Sequence, residues 1–187
     1  MARSDRIRWD RRYADPSSRV HKDGPDALLV RHTPPAQPGS RALELACGLG
    51  HNAIWLAEQG YTVDAFDISL TALRQARAAM LARGVRGVNF VAADLDHFVL
   101  PPYAYDLICV FRFLDRSLFP AIRERVRPGG VVIYQTLNTG HLVQHPDTDP
   151  ERVLQHGELP AYFPGWIVLE AADLDHLSLF AARKPLD

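Results

Sequence analysis

The stretch from Arg41 to Asp67, RALELACGLGHNAIWLAEQGYTVDAFD, constrains this chain more than any other. Ala42, Leu43, Leu45 and Ala46 form a short apolar run, the pattern of a strand buried on both faces. Gly48 and Gly50 then let the backbone turn sharply and come close to a ligand. A helix expected over roughly 51–59 aims its first N–H groups into that turn and ends near Gly60. Residues 61–66 read as a second strand with Asp67 at its C-terminal end, 19 residues after Gly48. A carboxylate at that separation suits the hydroxyls of a ribose. The unit therefore reads as strand, helix, strand with a nucleoside-binding pattern at its strand ends.

The glycines alone do not choose the nucleoside. Gly48-x-Gly50-x-x-Ala53 satisfies the loose dinucleotide pattern, so a nicotinamide-dependent oxidoreductase is one reading. Glu44 argues against it, because a carboxylate just before the turn repels a pyrophosphate. The same carboxylate attracts an α-amino group and a sulfonium, both carried by S-adenosylmethionine. Its bland alternative is a strand-end acid paired with an arginine. As it stands, Glu44-Leu-Ala-Cys-Gly48-Leu-Gly50 resembles the E/D-x-x-x-G-x-G first motif of the class I S-adenosylmethionine-dependent methyltransferases.

Downstream, Ser69 is placed to cap a helix running to about Arg83, with Leu73, Ala76, Met80 and Leu81 toward the sheet. Residues 88–93 and 105–111 read as further strands, 117–127 as a helix and 131–136 as a fifth strand. Pro128-Gly129-Gly130, between that helix and strand, is a second mark of the resemblance. Residues 138–149 turn polar and proline-containing, and Gly140 and Pro146 argue against a helix there. His141 and His145 lie four apart in that loop, without the acidic partners that would make a metal site, and none is expected. A short helix to Phe163 and two alternating strands, 166–170 and 177–183, close the chain. At the other end, residues 4–14 read as a helix capped by Ser4, and Pro25 as the start of a second.

The resemblance implies an α/β fold, a Rossmann-like doubly wound sheet of seven mostly parallel strands with an antiparallel C-terminal hairpin. It implies one domain over 1–187: an N-terminal helical lid (1–38), a cofactor-binding core (39–136) and an acceptor-side segment (137–187). The W-D-x-R-Y run at Trp9–Tyr13, the G-E-L…F-x-G-W run from Gly157 and the closing A-R-K-P bring it nearest to the small tellurite-resistance and thiopurine-type methyltransferases. The cofactor contacts expected on this basis are Trp9, Arg12 and Tyr13 from the lid, Glu44, Ala46, Gly48, Gly50 and Asn52 around the turn, and Asp67, Ile68, Asp94, Leu95 and Phe111 at later strand ends. Asp94 is expected to accept from the adenine amino group, with Leu95 against the ring.

Methyl transfer from a sulfonium needs donor and acceptor held close, and a base only where the acceptor must lose a proton. The end of the fourth strand reads Phe111-Arg112-Phe113-Leu114, not the [DNS]-P-P-[YFW] of amino-group methylases. Arg112 offers a fixed positive fork, so Arg112 and His141 are expected to line a pocket for a small anionic or soft-nucleophile acceptor. A cofactor-binding domain without turnover remains a further alternative.

Composition sets the bounds. The chain has 187 residues, 47% hydrophobic and 23% charged, and a net charge of −1, which gives nucleic acid no broad electrostatic footprint. No apolar run approaches the roughly 20 residues of a membrane span, and the N-terminus lacks a signal peptide's apolar core. Cys47 and Cys109 read as small buried residues of a cytoplasmic protein.

Overall fold

The computed structural model describes residues 2–17 and 24–186. In chain order the first elements are α1 (Ala2–Ala14), α2 (Ala27–His32), β1 (Arg41–Leu45), α3 (His51–Glu58), β2 (Thr62–Asp67), α4 (Leu70–Ala82) and β3 (Val88–Ala92). They are followed by β4 (Tyr105–Phe111), α5 (Phe119–Arg125), β5 (Val126–Leu137), α6 (His141–Gln144), α7 (Glu158–Ala161), β6 (Ile167–Asp173) and β7 (Leu177–Arg183). The strands form one seven-stranded sheet in the order β3-β2-β1-β4-β5-β7-β6. Contacts divide the described chain into two units, residues up to 26 with 35–99, and 27–34 with 100 onward.

In the first unit β1 pairs parallel with β2, from Arg41 opposite Thr62 to Leu45 opposite Phe66, and β2 pairs parallel with β3. Four of five β1 residues and five of six β2 residues are buried, the acids Glu44, Asp64 and Asp67 among them. At the edge, β3 is half exposed throughout and its sequence, VNFVA, is mixed accordingly. Ser69 caps α4, its hydroxyl oxygen accepting from the Ala72 N–H at 3.1 Å. Ala72, Leu73 and Ala76 are buried, but Leu81 is 63% exposed. Leu81 lies one residue past Met80, about 100° around the helix and off the Leu73–Ala76–Met80 stripe.

α1 begins at Ala2, so Ser4 lies inside its first turn and does not cap it; Ala2 and Arg3 are good helix formers that carry the helix further back. Likewise α2 starts at Ala27 and not at Pro25; just before it the Asp26 N–H donates to Asn52 Oδ1 at 2.8 Å.

In the second unit β4 pairs parallel with β5, and β7 runs antiparallel to both β5 and β6. The fifth strand is longer than the expected 131–136. Val126 already pairs with Tyr105, and the ladder slips before Leu107 meets Val131, so the Pro128-Gly129-Gly130 turn sits inside β5. Gly129 N–H donates to the Lys184 carbonyl and Lys184 N–H to the Gly130 carbonyl, tying the turn to the chain end. A methyl at Gly130 would lie 2.9 Å from the Arg127 carbonyl oxygen, so glycine is required there by close backbone approach. Buried Phe119, Tyr134, Phe163 and Phe180 form the aromatic centre of this unit. β6 is the outer strand; Ile167 and Val168 are at least half exposed, and its pairing with β7 is interrupted by a bulge between Val168 and Glu170.

The segment expected to be loop contains a helical turn, α6. Two tertiary devices override its flanking Gly140 and Pro146. Asn138, fully buried, accepts from Gly140 N–H at 2.9 Å and donates through Nδ2 to the Leu174 carbonyl. Gly140 also lies so close to Asp175 that any Cβ would run into the Asp175 carbonyl. Pro146 only ends the turn.

Candidate active site

The nucleoside pattern folds as a compact polar cluster in the first unit. Ala46 leaves β1 in the left-handed region (φ 55°), Gly48 and Gly50 follow at 53° and 71°, and the Cys47 N–H reaches back to the Phe66 carbonyl. This succession of positive-φ residues turns β1 into α3 within five positions. The two glycines serve different neighbours. A methyl on Gly50 would meet the Phe90 ring at 2.8 Å and Ala76 Cβ at 3.0 Å, so its smallness fits α3 and α4 against the sheet. A methyl on Gly48 would meet the Tyr13 hydroxyl at 2.5 Å, so here the close approach comes from α1.

Asp67 takes the Gly48 N–H on one oxygen and the Ser69 N–H on the other, at 2.7 and 2.8 Å. Burial raises its pKa, and those N–H groups pull in the opposite direction. Each oxygen retains a second acceptor site, so the carboxylate is fixed but not saturated. Glu44 is the more unusual acid. It is 2% exposed, and Asn52 Nδ2 donates to its Oε1 at 2.9 Å. Asn52 is itself oriented by the Asp26 N–H, which donates to its carbonyl oxygen. Glu44 Oε2 is buried with no hydrogen-bond partner among the described residues. Burial pushes its pKa up to about 8, with Asp67 adding to the rise, against the lowering effects of the Asn52 amide and the Ala53 N–H. An orphaned carboxylate oxygen in a protein interior is a costly arrangement that a cationic ligand relieves.

Asp10 is the residue that sequence reasoning missed here. Its Oδ1 accepts from the Ser69 hydroxyl at 2.7 Å and from the Thr71 N–H at 2.9 Å, so α1 supplies an acid to the first turn of α4. Three residues on, Tyr13 lies on the same face of α1 and reaches the Gly48 turn. Burial raises the Tyr13 phenol's pKa, with Asp67 the next cause. Gln75 donates to the Tyr13 carbonyl. Trp9 stacks obliquely on Tyr13 at 5.9 Å and is flanked by the Arg8 and Arg12 guanidinium groups. The only sequence signal for Asp10 was its place in the W-D-x-R-Y run. Asp10→Ala is expected to cost about 1 kcal/mol of α4 capping and to release α1, read as faster amide exchange over residues 4–14 with β1 and β2 unchanged.

Asp94 caps a single 3-10 turn, accepting from the Asp96 N–H, and Leu95 beside it is buried. Ile68 is half-buried after Asp67. These residues lie in the same unit as Glu44, Gly48 and Asp67.

In the second unit β4 ends at half-buried Phe111, and Arg112 follows in the left-handed region, φ 59°. Its N–H is held by the Gln135 carbonyl at 2.8 Å, while its side chain is exposed. A non-glycine residue in that conformation is strained, which is a recurrent property of functional positions. Arg112 and His141 belong to the same unit. Burial lowers the His141 pKa, and the charges of His145, His176 and Arg112 lower it further. His141 and His145 place their rings 4.4 Å apart. His176, from the β6–β7 connection, was not singled out in the sequence; only the tertiary fold brings it near. A clamp holds the preceding segment: Arg116 binds Glu158 through two nitrogens and also donates to the Glu151 and Val153 carbonyls. Among the described residues no cluster of three or more His, Cys, Asp or Glu is placed to hold a metal ion, and no helix is long and apolar enough to cross a membrane.

Comparison with known proteins agrees with this geometry. Residues 42–130 match the methyltransferase domain family. The chain is 31% identical over 137 residues to the ubiquinone biosynthesis O-methyltransferase of Thiobacillus denitrificans, covering 68% of this chain and 58% of that protein. The chain spans about half the length of the curated relatives it matches. In fold it is similar to the N-methyltransferase NodS of Bradyrhizobium japonicum, solved with S-adenosylhomocysteine, with a TM-score of 0.74, 16% identity, and 96% and 98% of the two chains covered. TehB of Haemophilus influenzae gives a TM-score of 0.68 at 19% identity, over 78% of this chain and 58% of its own. The strand order with its antiparallel β5-β7-β6 end, and a matched domain that begins at β1 and takes in both glycines, Glu44 and Asp67, place the chain among the class I S-adenosylmethionine-dependent methyltransferases.

Proposed function

We propose that this protein transfers a methyl group from S-adenosylmethionine to a small acceptor that is anionic or a soft nucleophile. The observation that carries this reading is the orphaned Glu44 oxygen, buried beside the glycine turn. Glu44, held by Asn52, receives the α-amino group; Asp67 accepts from the ribose hydroxyls; Asp94 and Leu95 take the adenine; Trp9, Arg12 and Tyr13 close over the cofactor. Ala46, Gly48 and Gly50 give the turn its shape, Ile68 lies beside the ribose acid, and Phe111 faces the methyl end. S-adenosylmethionine, when bound, supplies an electrophilic methyl group and a neutral leaving thioether, so no acid is required to help it depart. The residues therefore have to position two partners and keep water out. On the acceptor side, Arg112 fixes a negative group and His141 lines the pocket. The curated relatives' shared name, O-methyltransferase, supports a small-molecule acceptor.

Calorimetry separates this reading from its rivals. S-adenosylhomocysteine is expected to bind with a micromolar or lower Kd and NAD not at all; NAD binding alone would indicate an oxidoreductase. Release of S-adenosylhomocysteine on incubation with thiols, selenite, tellurite and hydroxylated acids is expected for one acceptor class. Binding without release from any of them would point to a cofactor-binding domain without turnover.

A further inference from the structure

α1 is held to the first unit mainly by polar bonds. None of residues 4–14 is buried, so apolar packing contributes little to keeping this helix in place. Its ties run to the first two turns of α4. Asp10 Oδ1 accepts from the Ser69 hydroxyl at 2.7 Å and from the Thr71 N–H at 2.9 Å, and Gln75 Nε2 donates to the Tyr13 carbonyl at 3.0 Å. α4 already has a cap of its own, because the Ser69 oxygen accepts from the Ala72 N–H. An acid brought to that terminus from another helix therefore also fixes where α1 lies. Ser69, fully buried, is shared: its hydroxyl holds Asp10 while its N–H holds Asp67, whose other oxygen takes the Gly48 N–H. The ring of contacts closes at Tyr13, three residues after Asp10 on the same face of α1. A methyl on Gly48 would lie 2.5 Å from the Tyr13 hydroxyl and 3.2 Å from its Cζ, so the open face of the turn is covered by this chain's own phenol. Trp9 backs that phenol, the two ring centroids 5.9 Å apart.

We propose that α1 is a strap over the glycine turn, latched by Asp10, and that its release sets how fast cofactor enters and spent cofactor leaves. The proposal rests on the methyltransferase reading and adds to it how the closing over the cofactor is held and undone. Asp10 is a positioning residue: it acts through Ser69 and Tyr13, not by contact with the cofactor. The same bonds have to break for entry and for exit, so one barrier governs both. Once they are broken, α1 has no buried side chain over residues 4–14 to keep it in place and swings clear. Loosening such a strap speeds both directions, whereas losing a residue that only grips the bound ligand speeds departure alone.

The test is stopped-flow fluorescence of the full chain mixed with S-adenosylhomocysteine. In Asp10→Ala the association and dissociation rate constants are both expected to rise at least about tenfold, the effect of losing hydrogen bonds to a charged acceptor. The Kd then moves less than either rate. Asp10→Asn keeps an accepting oxygen, and both its rates are expected to stay within about threefold of wild type. Gln75→Ala removes the other tie from an exposed position of α4 and is expected to raise both rates about threefold. It carries the same test should Asp10→Ala fail to fold. Dissociation raised alone, or both rates unchanged while amides of residues 4–14 exchange faster, would overturn the strap. S-adenosylhomocysteine binding would in that case still uphold the methyltransferase reading. A wild-type chain that fails to bind S-adenosylhomocysteine would overturn both.

Discussion

Glu44→Gln is expected to weaken S-adenosylhomocysteine binding about a hundredfold, roughly 3 kcal/mol, and at the same time to stabilise the ligand-free protein above pH 8. The two effects have one cause. The carboxylate is buried with one oxygen unpartnered among the described residues, so ionising it in the free protein is unfavourable. A bound ammonium reverses that penalty, and glutamine keeps the shape but not the charge. The change is read by calorimetry and by thermal unfolding of the free and ligand-bound forms.

The sign of the pH dependence follows from the same residue. Its pKa in the folded chain is about 8, above the ordinary 4.5. Between those values the folded chain holds a proton that the unfolded chain has released. The stability it contributes is therefore complete below about 4.5, is lost as pH rises toward 8, and is level above that. Binding a cation favours the ionised form, so complex formation releases a proton at neutral pH. Affinity is expected to climb from pH 6 to 8, to level off above that, and to fall only at more alkaline pH where the ligand's own α-amino group loses its charge. In Glu44→Gln the climb should vanish. Calorimetry in buffers of different ionisation enthalpy reads the released proton directly.

Gly50→Ala is the second large effect, and it acts on the fold. The added methyl meets the Phe90 ring and Ala76 Cβ, and Ala76, on the buried face of α4, has no side-chain freedom with which to give way. The backbone at φ 71° adds the strain of a left-handed L-residue. The sum is about 2–4 kcal/mol. For a chain of this size it corresponds to a Tm lower by about 5–15 °C, measured by calorimetry or circular dichroism. At Gly48 the nearest obstacle is the tip of the Tyr13 side chain, which is free to turn aside, so the packing cost there is smaller.

The placing of both glycines, Glu44 and Asp67 around one turn was legible because it depends on short spacing. A turn between strand and helix, an acid ahead of it and an acid at the next strand end all fall within one βαβ unit, where local geometry decides. What spacing could not distinguish was the neighbour each glycine serves, since Gly50 answers to Phe90 and Ala76, 40 and 26 residues on. Asp10 was illegible for the same reason: its partners, Ser69 and Thr71, lie 59 and 61 residues away. A charged residue in a charged helix carries no period that marks it. The α6 turn was missed because Gly140 and Pro146 are local signals, whereas Asn138 and Asp175 act through the tertiary fold. His176 sits in an acidic connection with nothing around it in sequence to suggest a partner. The central parallel strands were the most legible part, because burial on both faces leaves runs such as Leu107–Phe111 and Val131–Tyr134.

The bulge in β6 bears on how the molecule ends. An outermost strand bearing Ile167, Val168 and Leu169 is the sort of surface on which a stray polypeptide could lay itself down rung by rung. With the spacing broken at Leu169, a newcomer in regular register would lose its bonds halfway along. Glu170, gripped by Arg31 and His32, puts a fixed charge at that same point. The greasy margin is thereby made a poor template, and the sheet stops at seven.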